Sequence, residues 1–188
     1  MKSRASQSRE ISSAIAFCGM AVALSVVLVL LGSLLQIGLY AAPLFAGILL
    51  LFVRLEFDSR YAWSVWAAST LLLLLLCPDR EAAFYYGFVG WWPIVKWSVD
   101  LHIRSRAVRS LVKLAVFAVA ITAMYLLLVH VFHLISVDAE FQGLGLWGAV
   151  LFYGLNVLCL MVWDRLLTPL SLIWTQRIRP KLTFLNRK

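Results

Sequence analysis

A short polar segment between two apolar stretches carries the residue types best suited to holding a small polar molecule. Residues 78–81 read Pro-Asp-Arg-Glu and place two carboxylates beside one guanidinium. Tyr85 and Tyr86 follow closely. Charged groups beside phenol rings can bind a small ligand through hydrogen bonds and ring contacts. The simpler interpretation is a solvated turn, in which Asp79 caps a helix and Glu81 favours the positive helix end.

Asn156 interrupts the last long apolar stretch with a polar amide. An amide in such a helix requires a hydrogen-bonding partner, which a neighbouring helix usually supplies. Together these positions form the candidate substrate-binding set: Asp79, Arg80, Glu81, Tyr85, Tyr86 and Asn156.

The first apolar stretch carries small residues at spacings of four, three and four positions, at Ser12, Ala16, Gly19 and Ala23. These spacings place all four on one stripe of a helix. Small side chains allow a second helix to approach closely in lipid. The stripe is therefore a candidate partner-docking face, and the alternative is packing against another helix of the same chain.

The sequence lacks the motifs of the common catalytic sites. HExxH, GxSxG, a P-loop and a helix-initiating GxGxxG are all absent. The three cysteines show no metal-ligand spacing. We therefore expect no enzymatic activity, no catalytic residue, no metal and no cofactor. Any transport would take its energy from another protein.

The composition indicates what surrounds these residues. Of 188 residues, 63% are hydrophobic and only 14% charged, with a mean hydropathy of +0.90. Soluble domains are nearer half apolar and a quarter charged. We predict an all-α polytopic membrane protein with one transmembrane domain over residues 1–188. The net charge of +8 lies at the ends of apolar stretches, which disfavours nucleic acid as a partner.

Six apolar stretches are predicted to span the membrane: residues 11–35, 37–53, 61–76, 82–95, 114–135 and 144–162. The fourth is short, and Pro93 makes a half-depth or broken helix an alternative. With six spans, sixteen of the seventeen Lys and Arg residues lie on one side. This bias predicts that both termini are cytoplasmic. No charged residue falls in the middle of a clear span, which disfavours an ion-coupled transporter.

Two basic segments, residues 97–113 and 164–188, mix cations with apolar side chains. Both are predicted to be amphipathic and to lie on anionic membrane lipids. Docking to a cytoplasmic partner is the alternative, and it is compatible with lipid contact.

The chain resembles the substrate-binding S components of energy-coupling-factor (ECF) transporters in its size, its six predicted helices and its small-residue stripe. Residues 78–83 (PDREAA) and 90–96 (GWWPIVK) also resemble a group of small bacterial membrane proteins that read P-D-[KR]-E-A and then G-Y-Y-P-I-x-K. Tryptophans stand here in place of the tyrosines before Pro93. The ligand residues of characterised S components have no match in this sequence.

The resemblance implies a substrate-binding membrane subunit that takes up a small water-soluble molecule. Its partners would be a transmembrane coupling subunit and two ATPases, and its location the plasma membrane. Of the stripe, Ala16, Gly19 and Ala23 match the docking pattern. One alternative is a non-enzymatic scaffold or assembly factor of the cell envelope, similar to the cell-shape protein MreD. A second alternative is a lipid-handling transporter.

Overall fold

The computed structural model describes residues 4–35, 38, 40–130 and 145–178. These residues form helices and short connections without any strand, so the predicted all-α class is confirmed for this part of the chain. The helices are α1 (Arg4–Leu34), α2 (Ala41–Glu56), α3 (Ser59–Leu76), α4 (Arg80–Val89), α5 (Trp92–His102), α6 (Arg106–His130) and α7 (Gly145–Ile173). A π-helical turn, Trp174–Ile178, follows α7.

Three helical stretches are long and apolar enough to cross a membrane, which supports membrane association. They are Ile11–Leu34, Ser59–Leu76 and Tyr153–Arg177. The shortest has 18 residues, a rise of about 27 Å against a hydrocarbon core of about 30 Å. Several predicted ranges extend beyond the described residues, namely parts of 37–53, 114–135, 144–162 and 164–188.

Contacts divide the chain into two compact units, residues 1–95 with 166–188, and residues 96–165. In the first unit, α1 packs against α2 and α3, and α4 packs against α2 and α3. Its core is apolar and includes Val29, Leu50, Val53, Leu73 and Ile94. A tight connection leads into α2, because Gly38 adopts a left-handed φ of 76° and its carbonyl accepts from the Ala42 amide at 2.9 Å.

The predicted fourth apolar stretch, residues 82–95, is divided between two helices. α4 ends at Val89 and α5 begins at Trp92, with Pro93 in the first turn of α5. Proline is well tolerated there because its missing N–H has no partner within the helix. Gly90 fills a tight position at the break, since a Cβ would lie 2.5 Å from the Tyr86 carbonyl oxygen. The structure thus has the broken arrangement.

In the second unit, α6 and α7 run antiparallel. Lys113 of α6 hydrogen-bonds Asp164 of α7, whereas Thr122, further along α6, accepts from Tyr153, which lies earlier in α7. Apolar residues between these two levels are buried, including Phe117 on α6 and Leu160 on α7. The two polar contacts therefore fix how one helix is aligned along the other.

Candidate functional site

The polar turn before α4 is formed as a helix start. Asp79 occupies the N-cap position with an extended backbone, φ −97° and ψ 102°, but its side chain makes no capping hydrogen bond. Arg80 begins the helix and is exposed, and Glu81 lies in the first turn. The favourable position of Glu81 at the positive helix end is therefore present, whereas the side-chain cap expected of Asp79 is not formed.

The two tyrosines of the candidate set are buried in the first unit. Tyr85 is 5% exposed, and its ring meets Tyr40 edge-on at a centroid distance of 5.2 Å. Tyr86 is fully buried, and its hydroxyl lies 2.8 Å from Ser69 Oγ. Because Ser69 donates to the Val65 carbonyl at 2.6 Å, the Tyr86 hydroxyl is the donor to Ser69. Both phenols are thus engaged within the protein.

The remaining member of the set belongs to the other unit. Asn156 lies on α7 within residues 96–165 and is half-buried. It follows Tyr153 by three positions and so shares its side of the helix. Five of the six candidate residues therefore lie in the first unit, and Asn156 lies in the second.

The small-residue stripe of α1 faces away from the first unit's core. All four of its residues, Ser12, Ala16, Gly19 and Ala23, are exposed. The buried positions of α1, among them Ala14, Ala21, Ser25 and Val29, follow the opposite side of the helix. A Cβ added at Gly19 would meet no atom of the described residues within 4 Å. The stripe is therefore open to a partner helix or to lipid.

Sequence reasoning missed a cluster of four charged side chains in the second unit, here named the charge ring. It consists of Lys96 and Asp100 of α5, Lys113 of α6 and Asp164 of α7. The two lysines and two aspartates alternate, so that each ammonium contacts both carboxylates. The ring therefore joins three helices and carries no net charge.

The distances within the charge ring are those of close ion pairs. Lys113 Nζ lies 2.9 Å from Asp100 Oδ1 and donates to Asp164 Oδ2 at 2.9 Å. Lys96 Nζ donates to Asp100 Oδ2 at 3.0 Å and lies 3.3 Å from Asp164 Oδ1. The Lys96–Asp100 pair is one helical turn apart, the spacing at which helix side chains meet.

Burial and pairing shift the pKa values of two members of the charge ring, Asp100 and Lys113. Burial alone would raise the pKa of Asp100, but hydrogen bonds from Lys113 and Lys96 and their positive charges outweigh it and hold that pKa below its ordinary value. Burial would lower the pKa of Lys113, but its bonds to Asp100 and Asp164 raise it. Lys113 is therefore an ammonium ion at neutral pH and is not available as a nucleophilic amine.

Arg109 lies beside the charge ring and contacts one of its carboxylates. Its Nε lies 3.7 Å from Asp100 Oδ1. The same guanidinium donates from Nε and Nη2 to the Ile103 carbonyl, at 3.1 and 2.7 Å. Arg109 thus satisfies a carbonyl left free at the end of α5 and fixes the connection to α6.

Two sequence signals pointed to the charge ring. Lys96 and Asp100 stand four residues apart, and Asp164 interrupts an apolar pattern that continues to Leu172 and Ile173. The sequence interpretation ended the last span at residue 162. The structure instead continues α7 to Ile173, which places Asp164 within the candidate span Tyr153–Arg177. If this stretch crosses the membrane, Asp164 lies near its middle, where the sequence interpretation expects no charged residue.

A second missed contact lies in the first unit, beyond the end of α7. The Trp174 indole N–H donates to Glu56 Oε1 at 2.9 Å, and its ring stacks on Phe52 at a centroid distance of 4.0 Å. This contact ties the π-helical turn to the end of α2.

Among the described residues no group of three or more His, Cys, Asp or Glu side chains is placed to hold a metal ion.

Comparisons of the chain with protein-family models, with curated proteins and with solved structures find no match.

Proposed function

We propose that this protein is a non-enzymatic membrane subunit that docks to a separate membrane protein and binds a small water-soluble molecule for an ECF-type importer. In this proposal the chain spans the plasma membrane six times, with both termini in the cytoplasm. The observation that carries the proposal is the outward position of the small-residue stripe on α1.

The stripe supports docking because of what borders it. Larger apolar side chains on α1, such as Ile15 and Met20, are 61% and 59% exposed. Small residues between such neighbours form a shallow groove that lets a second helix approach closely, where dispersion contacts substitute for the hydrophobic effect in lipid. The partner in this proposal is a transmembrane coupling subunit that works with two ATPases.

Ligand binding is assigned to the polar turn and its surroundings. Arg80 is exposed and Asp79 half-buried, so both can contact a ligand that approaches from solution. Tyr85 and Tyr86 lie buried one to two turns further along α4 and would shape the site from within.

A scaffold or assembly factor of the cell envelope is the second candidate, and the same tyrosines favour it. The Tyr86 hydroxyl is bonded to Ser69 inside the packed core, and the buried Tyr85 ring is covered on one side by Tyr40. A scaffold would use the exposed face of α1 without any ligand. The importer therefore requires a coupling subunit and a small ligand, whereas the scaffold requires an envelope protein and no ligand.

Affinity purification in mild detergent from the native host, followed by mass spectrometry, tests the docking. The informative variant is Gly19→Leu, which fills the groove, and its matched control is Gly154→Leu on α7. A Cβ at either glycine meets no atom within 4 Å, so neither substitution clashes inside the described structure.

Recovery of a coupling subunit with two ATPases by the wild type and by Gly154→Leu, but not by Gly19→Leu, would support the importer. Recovery of envelope-synthesis proteins in the same pattern would favour the scaffold. Equal recovery by all three proteins would overturn docking through α1.

A thermal-shift screen of the purified protein tests the ligand. A ligand at one hundred times its Kd stabilises the folded state by about 2.7 kcal/mol, which is a measurable shift in Tm. A broad panel of vitamins and metabolites without any shift would contradict the importer and leave the scaffold.

A further inference from the structure

The second unit shows which cations of the basic segment remain available to an external partner. Five Lys and Arg residues lie between positions 96 and 113. Lys96 and Lys113 belong to the charge ring, and Arg109 is held by Ile103 and Asp100. The internal aspartates therefore neutralise part of a segment whose sequence suggests a uniformly basic surface.

Two arginines are left at the corner between α5 and α6. Arg104 and Arg106 are both exposed, and within the described part of the chain neither side chain has a hydrogen bond or an ion pair. The bonds from Arg109 to the Ile103 carbonyl fix the backbone directly beside them. The corner thus presents two free positive charges on an ordered turn.

Apolar side chains surround these two charges. Leu101, Val108 and Leu111 are 64%, 52% and 69% exposed. Arg106 precedes Leu111 by five residues, a rise of about 7.5 Å along α6. Because the headgroup layer on each side of a bilayer is only about 5–7 Å thick, one helix end can place leucine in hydrocarbon and arginine among phosphates.

We propose that this corner, Leu101–Leu111, is a docking surface for the anionic lipid leaflet, and that the free cations Arg104 and Arg106 supply most of its electrostatic attraction. The charge complementarity selects this occupant, since free guanidinium groups beside exposed aliphatic side chains match phosphate headgroups above acyl chains. The charge ring has a positioning role, because it holds α5 and α6 together without contributing free charge.

Electron spin resonance of spin-labelled lipids tests the proposal on the full chain in phosphatidylcholine vesicles with a minor fraction of phosphatidylglycerol. The measured quantity is the association constant of phosphatidylglycerol relative to phosphatidylcholine. Arg104→Gln and Arg106→Gln are each expected to lower it by roughly fivefold at low salt. High salt is expected to reduce the wild-type selectivity in the same direction.

The matched control is Arg60→Gln. Arg60 is also exposed and is predicted to lie on the same side of the membrane, but it belongs to the other unit. Unchanged selectivity in both Arg104→Gln and Arg106→Gln, or an equal loss in Arg60→Gln, would overturn the proposal. Unchanged lipid selectivity with loss of a co-purifying protein would assign the corner to a protein partner instead. Salt dependence of the wild type needs no variant, so the test stands even if a variant fails to fold.

Discussion

Lys113 and Asp164, which are 51 residues apart in sequence, form a two-bond ion pair between α6 and α7. The ammonium donates to both carboxylate oxygens of Asp164, at 3.2 and 2.9 Å. Their side chains are only 11% and 16% exposed. Sliding of α6 along α7 would separate these buried charges and leave each without its partner, which is costly. The pair therefore holds the same helix alignment as the Thr122–Tyr153 hydrogen bond.

Removing one partner of this pair is expected to be costly. Lys113→Gln removes one of the two ammonium groups that balance the negative charges of Asp100 and Asp164. Because buried charge is then left unpaired, we expect the free energy of unfolding to fall by about 3–5 kcal/mol. Lys113→Gln/Asp164→Asn should lose less than the sum of the two single variants, because it removes both charges together. Reversible unfolding in mixed micelles measures the cycle. Arg104→Gln, an exposed control, should change stability by less than about 0.5 kcal/mol, and strict additivity would contradict the coupling.

The same cluster predicts how stability depends on pH. The pKa of Asp100 lies below its ordinary 3.8, so its contribution is present above pH 3.8 and is lost as the pH falls through the folded-state pKa. The pKa of Lys113 lies above its ordinary 10.5, so its contribution is full below pH 10.5 and is lost as the pH rises through its folded-state pKa.

Between these limits neither Asp100 nor Lys113 should titrate, and their contribution to Tm should be flat. Subtracting the Tm profile of Lys113→Gln from that of the wild type isolates the contribution that depends on Lys113. A step in this difference near neutral pH would contradict permanent pairing.

The buried hydroxyl pair of the first unit offers a test that separates packing from ligand binding. Tyr86→Phe removes the donor to Ser69, while Ser69 keeps its bond to the Val65 carbonyl. A loss of about 1 kcal/mol is expected, the usual size for one neutral hydrogen bond. Ser69→Ala is the matched control. If Tyr86 only packs in the core, both variants should bind an identified ligand with the affinity of the wild type. A loss of affinity in Tyr86→Phe but not in Ser69→Ala would show that the Tyr86 hydroxyl contacts the ligand.

Hydrophobic pattern and charge distribution predict most of the helical fold. The long stretches of α1 and α3 follow from composition, because few charged residues interrupt them. The sequence predicts a broken fourth stretch only as an alternative and does not locate the break, since a proline in the first turn of a helix and one inside a helix give the same local sequence signal.

Most contacts of the charge ring could not be predicted from the sequence, for a different reason. Asp164 finds its partners 51 and 68 positions earlier in the chain, at Lys113 and Lys96. Spacing rules along one helix detect Lys96 with Asp100 but not contacts between helices. Ending the last span at residue 162 also makes Asp164 the start of a basic amphipathic segment, which hides its position within α7. The outward direction of the α1 stripe likewise needed the packing of α2 and α3 to define which side is buried.

The break between α4 and α5 requires glycine at position 90. A Cβ there would lie 2.5 Å from the Tyr86 carbonyl oxygen and 3.1 Å from the Tyr86 ring, and Tyr86 is fully buried and unable to move freely. Gly90→Ala is therefore expected to lower the free energy of unfolding by about 1–3 kcal/mol, the usual cost of overpacking. Gly154→Ala is the matched control, because open space surrounds that position and alanine favours a helix by up to about 1 kcal/mol. Parallel unfolding measurements should thus give changes of opposite sign, and a neutral Gly90→Ala would mean that the break relaxes around a methyl group.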